Sequence, residues 1–223
     1  MLESRPVARA PRHAKDRRLG ARALRTRRRL LDATAALLTE RGLRGASVVL
    51  IARRAETSPA SFYQYFSTVE DATLELAEEA AAEMPAIVAL LDGPLEGAAG
   101  LANARALVAR FLALWDAHHA VLRVRNHAAD EGSRTFRRAW RSALRPLLDA
   151  LARRLDPGAR AADAQPVHPY AAAAAIATVL ESAGAYHREL EFFGVDREAL
   201  LETSARMLVD TLALAHEPVR RER

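Results

Sequence analysis

Apolar residues recur every three or four positions along most of the chain beyond about residue 21, which is the spacing of one face of an α-helix. The first stripe begins at Leu30 and predicts a helix over about residues 22–41, which Gly42 would end. Longer amphipathic segments follow near residues 98–127, 134–154, 167–190 and 196–215. No segment alternates with the two-residue period of a half-buried strand, so the predicted fold class is all-α.

Capping signals mark the starts of three further helices. Ser47 can accept a backbone hydrogen bond at the start of a second helix. Ser58 precedes Pro59, and this pair predicts a third helix because proline at the first helical position loses no hydrogen bond. Thr68 and Asp71 have the spacing of a capping box, which would open a fourth helix.

These elements predict three parts. Residues 1–21 lack apolar periodicity, and we expect them to form a flexible arm. Residues 22–71 form a small domain of three helices. Residues 72–223 form a larger bundle that begins with the fourth helix.

Positive charge is concentrated at the start of the chain. Up to Arg29 there are eleven basic residues against Glu3 and Asp16, a net charge of +9, so the total of +5 leaves −4 for the rest. A basic arm on a slightly acidic body is expected of a protein that meets a polyanion with one end. The alternative is a solvated tail that binds nothing specific.

Composition excludes several classes of site. Cysteine is absent, which rules out disulfides, thiolate metal sites and cysteine nucleophiles. The arginine-rich start lacks the apolar core of a signal peptide, and no apolar stretch reaches the length of a membrane span, so we expect a cytoplasmic protein. Asp116 and His119 could share a helix face as metal ligands do, but no second copy of this spacing is present. We expect no cofactor, no metal and no enzymatic activity.

The second and third predicted helices have the proportions of a helix-turn-helix, whose second helix lies in the major groove of DNA. Phe62 and Phe66 are four residues apart and share the inward face, which directs Tyr63 and Gln64 elsewhere. A tyrosine hydroxyl can donate to phosphate, and a glutamine amide matches the edge of adenine. The alternative is that Tyr63 and Tyr65 are half-buried packing residues.

Several short motifs occur in a fixed order through residues 22–71. They are Arg29-Leu-Leu-Asp-Ala33, Leu37, Leu38, Glu40-Arg-Gly42, Ala46-Ser47, Ile51-Ala52, Ser58-Pro-Ala-Ser-Phe-Tyr-Gln-Tyr-Phe66 and Glu70. In order and spacing this part of the chain resembles the DNA-binding domain of the TetR family of bacterial transcription regulators. The resemblance implies that Ser47 and the two tyrosines contact the DNA backbone, while Ser58 to Ser61 and Gln64 face the groove. The full set expected at operator DNA is Arg22, Arg25, Ser47, Ser58, Pro59, Ala60, Ser61, Tyr63, Gln64, Tyr65 and Thr68.

Three positions depart from the family pattern. Glu56 stands in the turn where a glycine is usual, and a left-handed backbone there costs about 1–2 kcal/mol for a non-glycine residue. Val69 replaces a common lysine, which removes one expected phosphate contact. Leu50 replaces a polar residue, so it either packs on a neighbour or lies exposed beside the DNA.

The last two predicted helices, about residues 167–215, are expected to form a homodimer interface. The resemblance implies a four-helix bundle made by two subunits. The sequence offers small and aliphatic stripes for it, namely Tyr170 to Ala177, Leu180, Ala183 and Gly184, and Leu200, Leu201, Ala205, Leu208, Val209, Leu212 and Ala213. The alternative is that both helices pack within one subunit.

Aromatic and polar residues gather in the middle of the bundle, although aromatic residues are only 5% of the chain. A largely apolar pocket with a few polar groups is typical of a small-molecule site. The expected lining is Phe111, Trp115, His119, Arg123, Asn126, Phe136, Trp140 and Tyr186. The alternative is that the aromatic residues belong to the core and the histidines to the surface.

The sequence as a whole predicts a homodimeric, DNA-binding repressor that a small, largely apolar or aromatic effector releases from its operator. One alternative is an α-helical enzyme or small-molecule carrier that uses the histidine and tryptophan residues of the bundle. That alternative leaves residues 44–71 without an explanation. Another is a non-specific nucleoid or RNA binder that uses the basic arm, which would not need a helix shaped for the groove.

Overall fold

A computed structural model of the chain describes residues 20–156 and 168–214. Within these ranges the protein is helical and contains no strand, so the all-α prediction is confirmed. The α-helices are α1 Ala21–Gly45, α2 Val48–Arg54, α3 Pro59–Tyr65, α4 Val69–Ala81, α5 Met84–Val88, α6 Gly97–Asp130, α7 Arg134–Leu155, α8 Pro169–Leu190 and α9 Arg197–Leu214. Nearly all of the predicted basic arm, up to residue 19, lies outside the described residues.

Local hydrogen bonds explain where the short helices begin. The Ser47 hydroxyl accepts from the Leu50 N–H at 3.3 Å, and the Ser58 hydroxyl accepts from the Ser61 N–H at 3.2 Å. The Thr68 hydroxyl accepts from the backbone N–H of Asp71 at 3.1 Å. Side-chain acceptors at these positions satisfy N–H groups that have no partner inside a helix. The three predicted helix starts are therefore confirmed.

Gly42 interrupts α1 near its end, as the sequence predicts. Its φ of 65° and ψ of −177° lie in a region that glycine adopts readily and other residues avoid. The regular part of α1 thus ends before Gly42, although the helical segment extends to Gly45.

The chain divides between Thr73 and Leu74 into two compact units. In the first unit, α1, α2 and α3 pack against one another. Their shared core consists of Leu30, Leu31, Leu37, Leu38, Ile51, Ala52, Ala55, Phe62 and Phe66, all buried. This small core fixes the orientation of α3, and hence of the residues on its outer face.

In the second unit, the 34-residue helix α6 packs against α7, α8 and α9. The helix leaves regular geometry at His118, whose φ and ψ are −122° and 17°. Where α6 meets α8, Gly184 faces Trp115 so closely that a Cβ atom added to the glycine would lie 2.2 Å from the indole Cδ1. The absence of a side chain at Gly184 is therefore what lets the indole lie against α8.

The stripes cited for the dimer interface are used inside the subunit. Ile176, Leu180 and Gly184 of α8, and Leu201 and Leu208 of α9, are buried in the core of the second unit. For these residues the packing alternative describes the subunit, because α8 packs against α7 and α6 and α9 packs against α6. The small residues that remain exposed on α8 are Ala171, Ala174, Ala175, Thr178 and Ser182.

Candidate DNA-binding surface and ligand cavity

The outer face of α3 carries the side chains expected at DNA. Phe62 is fully buried, and Phe66, which follows the helix, is 4% exposed, whereas Tyr63 is 60% exposed and Gln64 is also exposed. The ring of Tyr63 stands edge-on to Phe62, with 5.8 Å between centroids, while most of the Tyr63 side chain stays exposed. Tyr65 is only half-buried beside Phe66, so the packing alternative describes Tyr65 better than Tyr63.

The N-terminus of α3 is small and open. Pro59 and Ala60 are exposed, and Ser61 is partly exposed. The hydroxyls of Ser58 and Ser61 lie 3.2 Å apart, and either can donate to the other. The small side chains at this helix end allow a macromolecule such as DNA to approach it closely.

The remaining predicted DNA contacts are exposed on neighbouring elements. Arg22 and Arg25 lie on the first turns of α1, Ser47 precedes α2 and Thr68 precedes α4. Their exposure leaves the two guanidinium groups accessible to an anion. Val49 on α2 is also exposed, at 64%, although it was not among the DNA contacts expected from the sequence.

Three aromatic residues predicted to line the pocket instead lie in packed cores. Phe111 and Trp115 are at most 1% exposed and belong to the main core of the second unit. Phe136 is 3% exposed and packs in a smaller cluster with Leu74 and Ala128. Their burial among the helices matches the core alternative.

Three other predicted pocket residues make contacts away from the cavity described below. The His119 ring Nε2 lies 3.2 Å from the carbonyl oxygen of Ala185. Arg123 is exposed, pairs with Glu189 at 3.5 Å and stands over the ring of Tyr186, 5.3 Å from its centroid. These contacts link α6 to the outer surface of α8 and leave Tyr186 about half exposed.

A cavity of about 410 Å³ lies between the end of α6, α7 and α8. Asn126 and Trp140 are the two predicted ligand residues that line it. The other lining residues are Ala129, Asp130, Arg137, Arg141, Leu144, Leu148, Ala174, Ala177, Thr178, Glu181 and Ser182. Six of the thirteen lining residues are apolar, and a cavity of this volume suits a small molecule.

A partly buried polar cluster borders this cavity. The Glu181 carboxylate accepts from the Asn126 side-chain amide at 3.1 Å and from the Trp140 indole N–H at 3.2 Å. Arg125, only 3% exposed, lies 3.6 Å from the same carboxylate and donates to the Asn126 amide oxygen at 2.9 Å. Burial lowers the pKa of Arg125, and the negative charge of Glu181 opposes that shift. The cluster therefore joins α6, α7 and α8 through one carboxylate.

Asp116, which has metal-ligand spacing with His119, has different partners. Its carboxylate lies 3.0 Å from Nε2 of the buried His187 and 3.1 Å from the guanidinium of Arg197. Among residues 20–156 and 168–214, no group of three histidine or acidic side chains is placed to hold a metal ion. The described contacts of Asp116 thus connect α6 to α8 and α9.

Comparison with known proteins identifies the family. A family model described as "Tetracyclin repressor-like, C-terminal domain" matches residues 89–214, which is more than half of the chain, and "Bacterial regulatory proteins, tetR family" matches residues 30–76. The chain belongs to the TetR family. Its members are transcription regulators that bind operator DNA, so the family resemblance is confirmed and the enzyme alternative is not supported.

Several solved structures share the TetR fold. The fatty acid degradation regulator FadR from Bacillus halodurans has a TM-score of 0.63 at 19% identity, and the match covers 86% of this chain and 96% of that one. A putative TetR-family regulator from Syntrophomonas wolfei has a TM-score of 0.62 at 16% identity, with 88% and 98% covered. SmeT, the repressor of the Stenotrophomonas maltophilia multidrug efflux pump SmeDEF, has a TM-score of 0.56 at 20% identity, with 85% and 91% covered. No curated protein sequence matches the chain.

Glu56, which stands where the TetR pattern usually has a glycine, has a left-handed φ. Its φ is 50°, the only positive φ of a non-glycine residue in the described part of the chain. The guanidinium of Arg29 donates to the carbonyl of Ala55 and to the carbonyl of Glu56, and it pairs with the Glu56 carboxylate at 3.2 Å. Arg29 therefore holds the strained turn from α1, a role that sequence reasoning did not assign.

The other two departures from the TetR pattern are also visible. Leu50 is half-buried, so it packs in part on its neighbours and keeps an exposed portion. Val69 is half-buried at the start of α4.

No helix in the described ranges has the length and apolar character needed to cross a membrane.

Proposed function

We propose that the protein is a homodimeric repressor that reads operator DNA with α3 and leaves it when a small molecule fills the cavity between α6, α7 and α8. The observation that carries the DNA-binding part is the contrast on α3 between buried Phe62 and Phe66 and exposed Tyr63 and Gln64. In this proposal residues 22–71 bind DNA, and residues 72–223 bind the ligand and the second subunit. Binding to DNA in a bacterial cell also implies a cytoplasmic protein.

Repression is supported by similarity rather than by geometry. SmeT, which shares the fold, is described as a repressor. A repressor needs only to occupy its operator, so an exposed recognition helix on a rigid core is sufficient for that role.

A homodimer is supported by the remaining exposed face of α8. Ala171, Ala174 and Ala175 leave room for another helix to approach closely. Two recognition helices spaced one turn of DNA apart also require two subunits. Ala174, Thr178 and Ser182 line the cavity as well, so a partner on this face would narrow its opening.

The ligand part of the proposal rests on the cavity and on linkage. Leu144, Leu148 and Trp140 offer apolar contact to an apolar or aromatic body. A ligand can lower DNA affinity only by binding the DNA-free arrangement more tightly than the bound one, and typical couplings are about 1–3 kcal/mol. We therefore expect partial loss of DNA affinity at moderate ligand concentration. A simple carrier would instead bind its ligand with no change in DNA affinity.

Substitutions on α3 distinguish contacts that position the helix on the DNA backbone from contacts that read the base sequence. Tyr63→Phe removes a hydroxyl that we place on phosphate, so it should weaken binding to all DNA sequences by a similar factor. Gln64→Ala should cost about 1–3 kcal/mol at the preferred sequence and relax selection at one base pair per half-site. Binding-site selection with both variants measures these effects.

Both side chains are exposed, so thermal melting of the two variants should match that of the parent protein and serves as the folding control. Unchanged affinity and preference in both variants would remove α3 from the DNA interface. Selection that yields no consensus with the parent protein would favour the non-specific nucleic-acid binder.

Deleting residues 1–20 tests the proposed role of the basic arm. The deletion removes Arg5, Arg9, Arg12, Lys15, Arg17 and Arg18. Affinity for DNA should fall and its dependence on salt should become shallower, because fewer counterions are released on binding, while the preferred sequence should stay the same. A log–log salt titration with equal slopes for the two proteins would show that the arm does not touch DNA.

A further inference from the structure

The charged side chains that line the cavity differ in how many hydrogen-bond and ion-pair partners they already have. Four ionisable side chains line it, namely Asp130, Arg137, Arg141 and Glu181. Glu181 already receives the N–H groups of Asn126 and Trp140 and the charge of Arg125. All three contacts fall on Oε2 of Glu181, and the buried Arg125 already offsets its charge, so Glu181 is a weaker anchor for a cation than an unpaired carboxylate would be.

The two arginines retain free donors. Arg137 gives one N–H to the carbonyl of Ala129 at 3.1 Å. Arg141 makes no hydrogen bond or ion pair with any residue in the described ranges, yet its side chain borders the cavity. The two residues are four apart on α7 and therefore share one face of the helix. The negative charges on the lining are Asp130 and Glu181, and Glu181 already lies beside the positive charge of Arg125.

Apolar and cationic groups therefore lie side by side in one cavity. Leu144 follows Arg141 on α7 by three residues, and Leu148 lies one further turn along the same helix, both on the cavity lining. A guanidinium binds a carboxylate through two parallel hydrogen bonds, and it prefers this partner to a neutral group. The arrangement suits a molecule with an apolar body and one anionic end.

We propose that the effector is an apolar or aromatic carboxylic acid whose carboxylate binds Arg141, with Arg137 in support. This inference rests on the proposed ligand cavity and names the chemical class that the cavity selects. The apolar end would lie against Leu144 and Leu148, and the indole of Trp140 would border the bound molecule.

The test is a titration of the full-length protein with matched probes: 4-phenylbutanoate, 4-phenylbutan-1-ol and 4-phenylbutylamine. Binding is followed by calorimetry and by the change in tryptophan fluorescence. The carboxylate should bind at least about tenfold more tightly than the alcohol or the ammonium, as expected of a charge-assisted hydrogen bond. Its affinity should fall with added salt, while that of the alcohol should not.

Matched variants locate the anion. Arg141→Gln should weaken carboxylate binding about tenfold, to the level of the alcohol, and leave alcohol binding unchanged. Arg138→Gln is the control, because Arg138 is exposed on the same helix but does not line the cavity. Asp130→Asn should leave carboxylate binding unchanged or tighten it.

Other outcomes overturn the inference in distinguishable ways. Equal affinity for alcohol and carboxylate would keep the cavity as a ligand site but remove the anionic class. Tight binding of the ammonium, lost in Asp130→Asn, would reverse the sign of the ligand. An effect of Arg141→Gln on the dimerisation constant alone would make this arginine an interface residue. If no probe binds, the inference fails together with the ligand part of the proposed function, whereas DNA binding, measured separately, is untouched.

Discussion

Phe62→Ala should unfold the first unit at temperatures at which the parent protein remains fully folded. Phe62 is 0% exposed in the core formed by α1, α2 and α3, where it meets Phe66 with 5.4 Å between ring centroids. Replacing a buried phenylalanine by alanine costs about 3–5 kcal/mol. A unit of this size has a small core and correspondingly little stability to lose. Loss of the ring should therefore release α3 from α1 and α2.

Hydrogen exchange read by mass spectrometry distinguishes this effect from global unfolding. Peptides from α1, α2 and α3 should lose protection in Phe62→Ala, while peptides from α6 and α7 should keep it. Tyr63→Ala is the matched control, since Tyr63 is the next residue on the same helix and is 60% exposed. That variant should keep its protection and lose only DNA affinity. Full protection of α3 in Phe62→Ala would mean that the aromatic core does not hold the recognition helix.

The first unit could be predicted from the sequence because its signals are local. The helix starts depend on Ser47, Ser58 and Thr68, each of which bonds to a backbone N–H only three residues away. The inward position of Phe62 and Phe66 follows from a spacing of four residues. The hydrogen bonds of Arg29 to the turn could not be predicted from local signals. They join Arg29 to the carbonyls of Ala55 and Glu56, which follow it by 26 and 27 positions in the sequence.

The second unit was less predictable because small and aromatic residues suit several environments. Alanine and glycine on α8 can serve an interface between subunits or a close contact within one subunit. At Gly184 the contact lies within the subunit, because Trp115 packs against it. Aromatic crowding on α6 likewise indicated a pocket, whereas Phe111 and Trp115 fill the core.

A signal for the cavity was nevertheless present in the sequence. Glu181 is the only charged residue of α8 before His187, in a stretch dominated by alanine. A single carboxylate in such a helix needs a partner, since burying an unpaired charge is costly. Its partners, Arg125 and Asn126, lie more than fifty residues earlier, so the pairing itself required the structure.

Glu181→Ala should be the most destabilising substitution of a charged residue in the second unit. It removes the carboxylate but leaves Arg125 buried at 3% exposure, with its positive charge no longer opposed. Breaking a buried ion pair from one side costs about 3–5 kcal/mol, most of which is the cost of the charge left behind. Asn126 and Trp140 would lose their shared acceptor as well.

Two further variants test whether the uncompensated positive charge of Arg125 causes the loss of stability. Glu189→Ala, on the same helix, breaks the pair with Arg123, in which both side chains are about half exposed, and should cost at most about 1 kcal/mol. Adding Arg125→Met to Glu181→Ala should restore most of the lost stability, because an apolar side chain of similar length needs no partner. Urea unfolding of the parent protein and the three variants gives their free energies of unfolding. If Glu181→Ala unfolds no more easily than Glu189→Ala, or if the second substitution restores nothing, the cluster does not hold α6, α7 and α8 together through its charge.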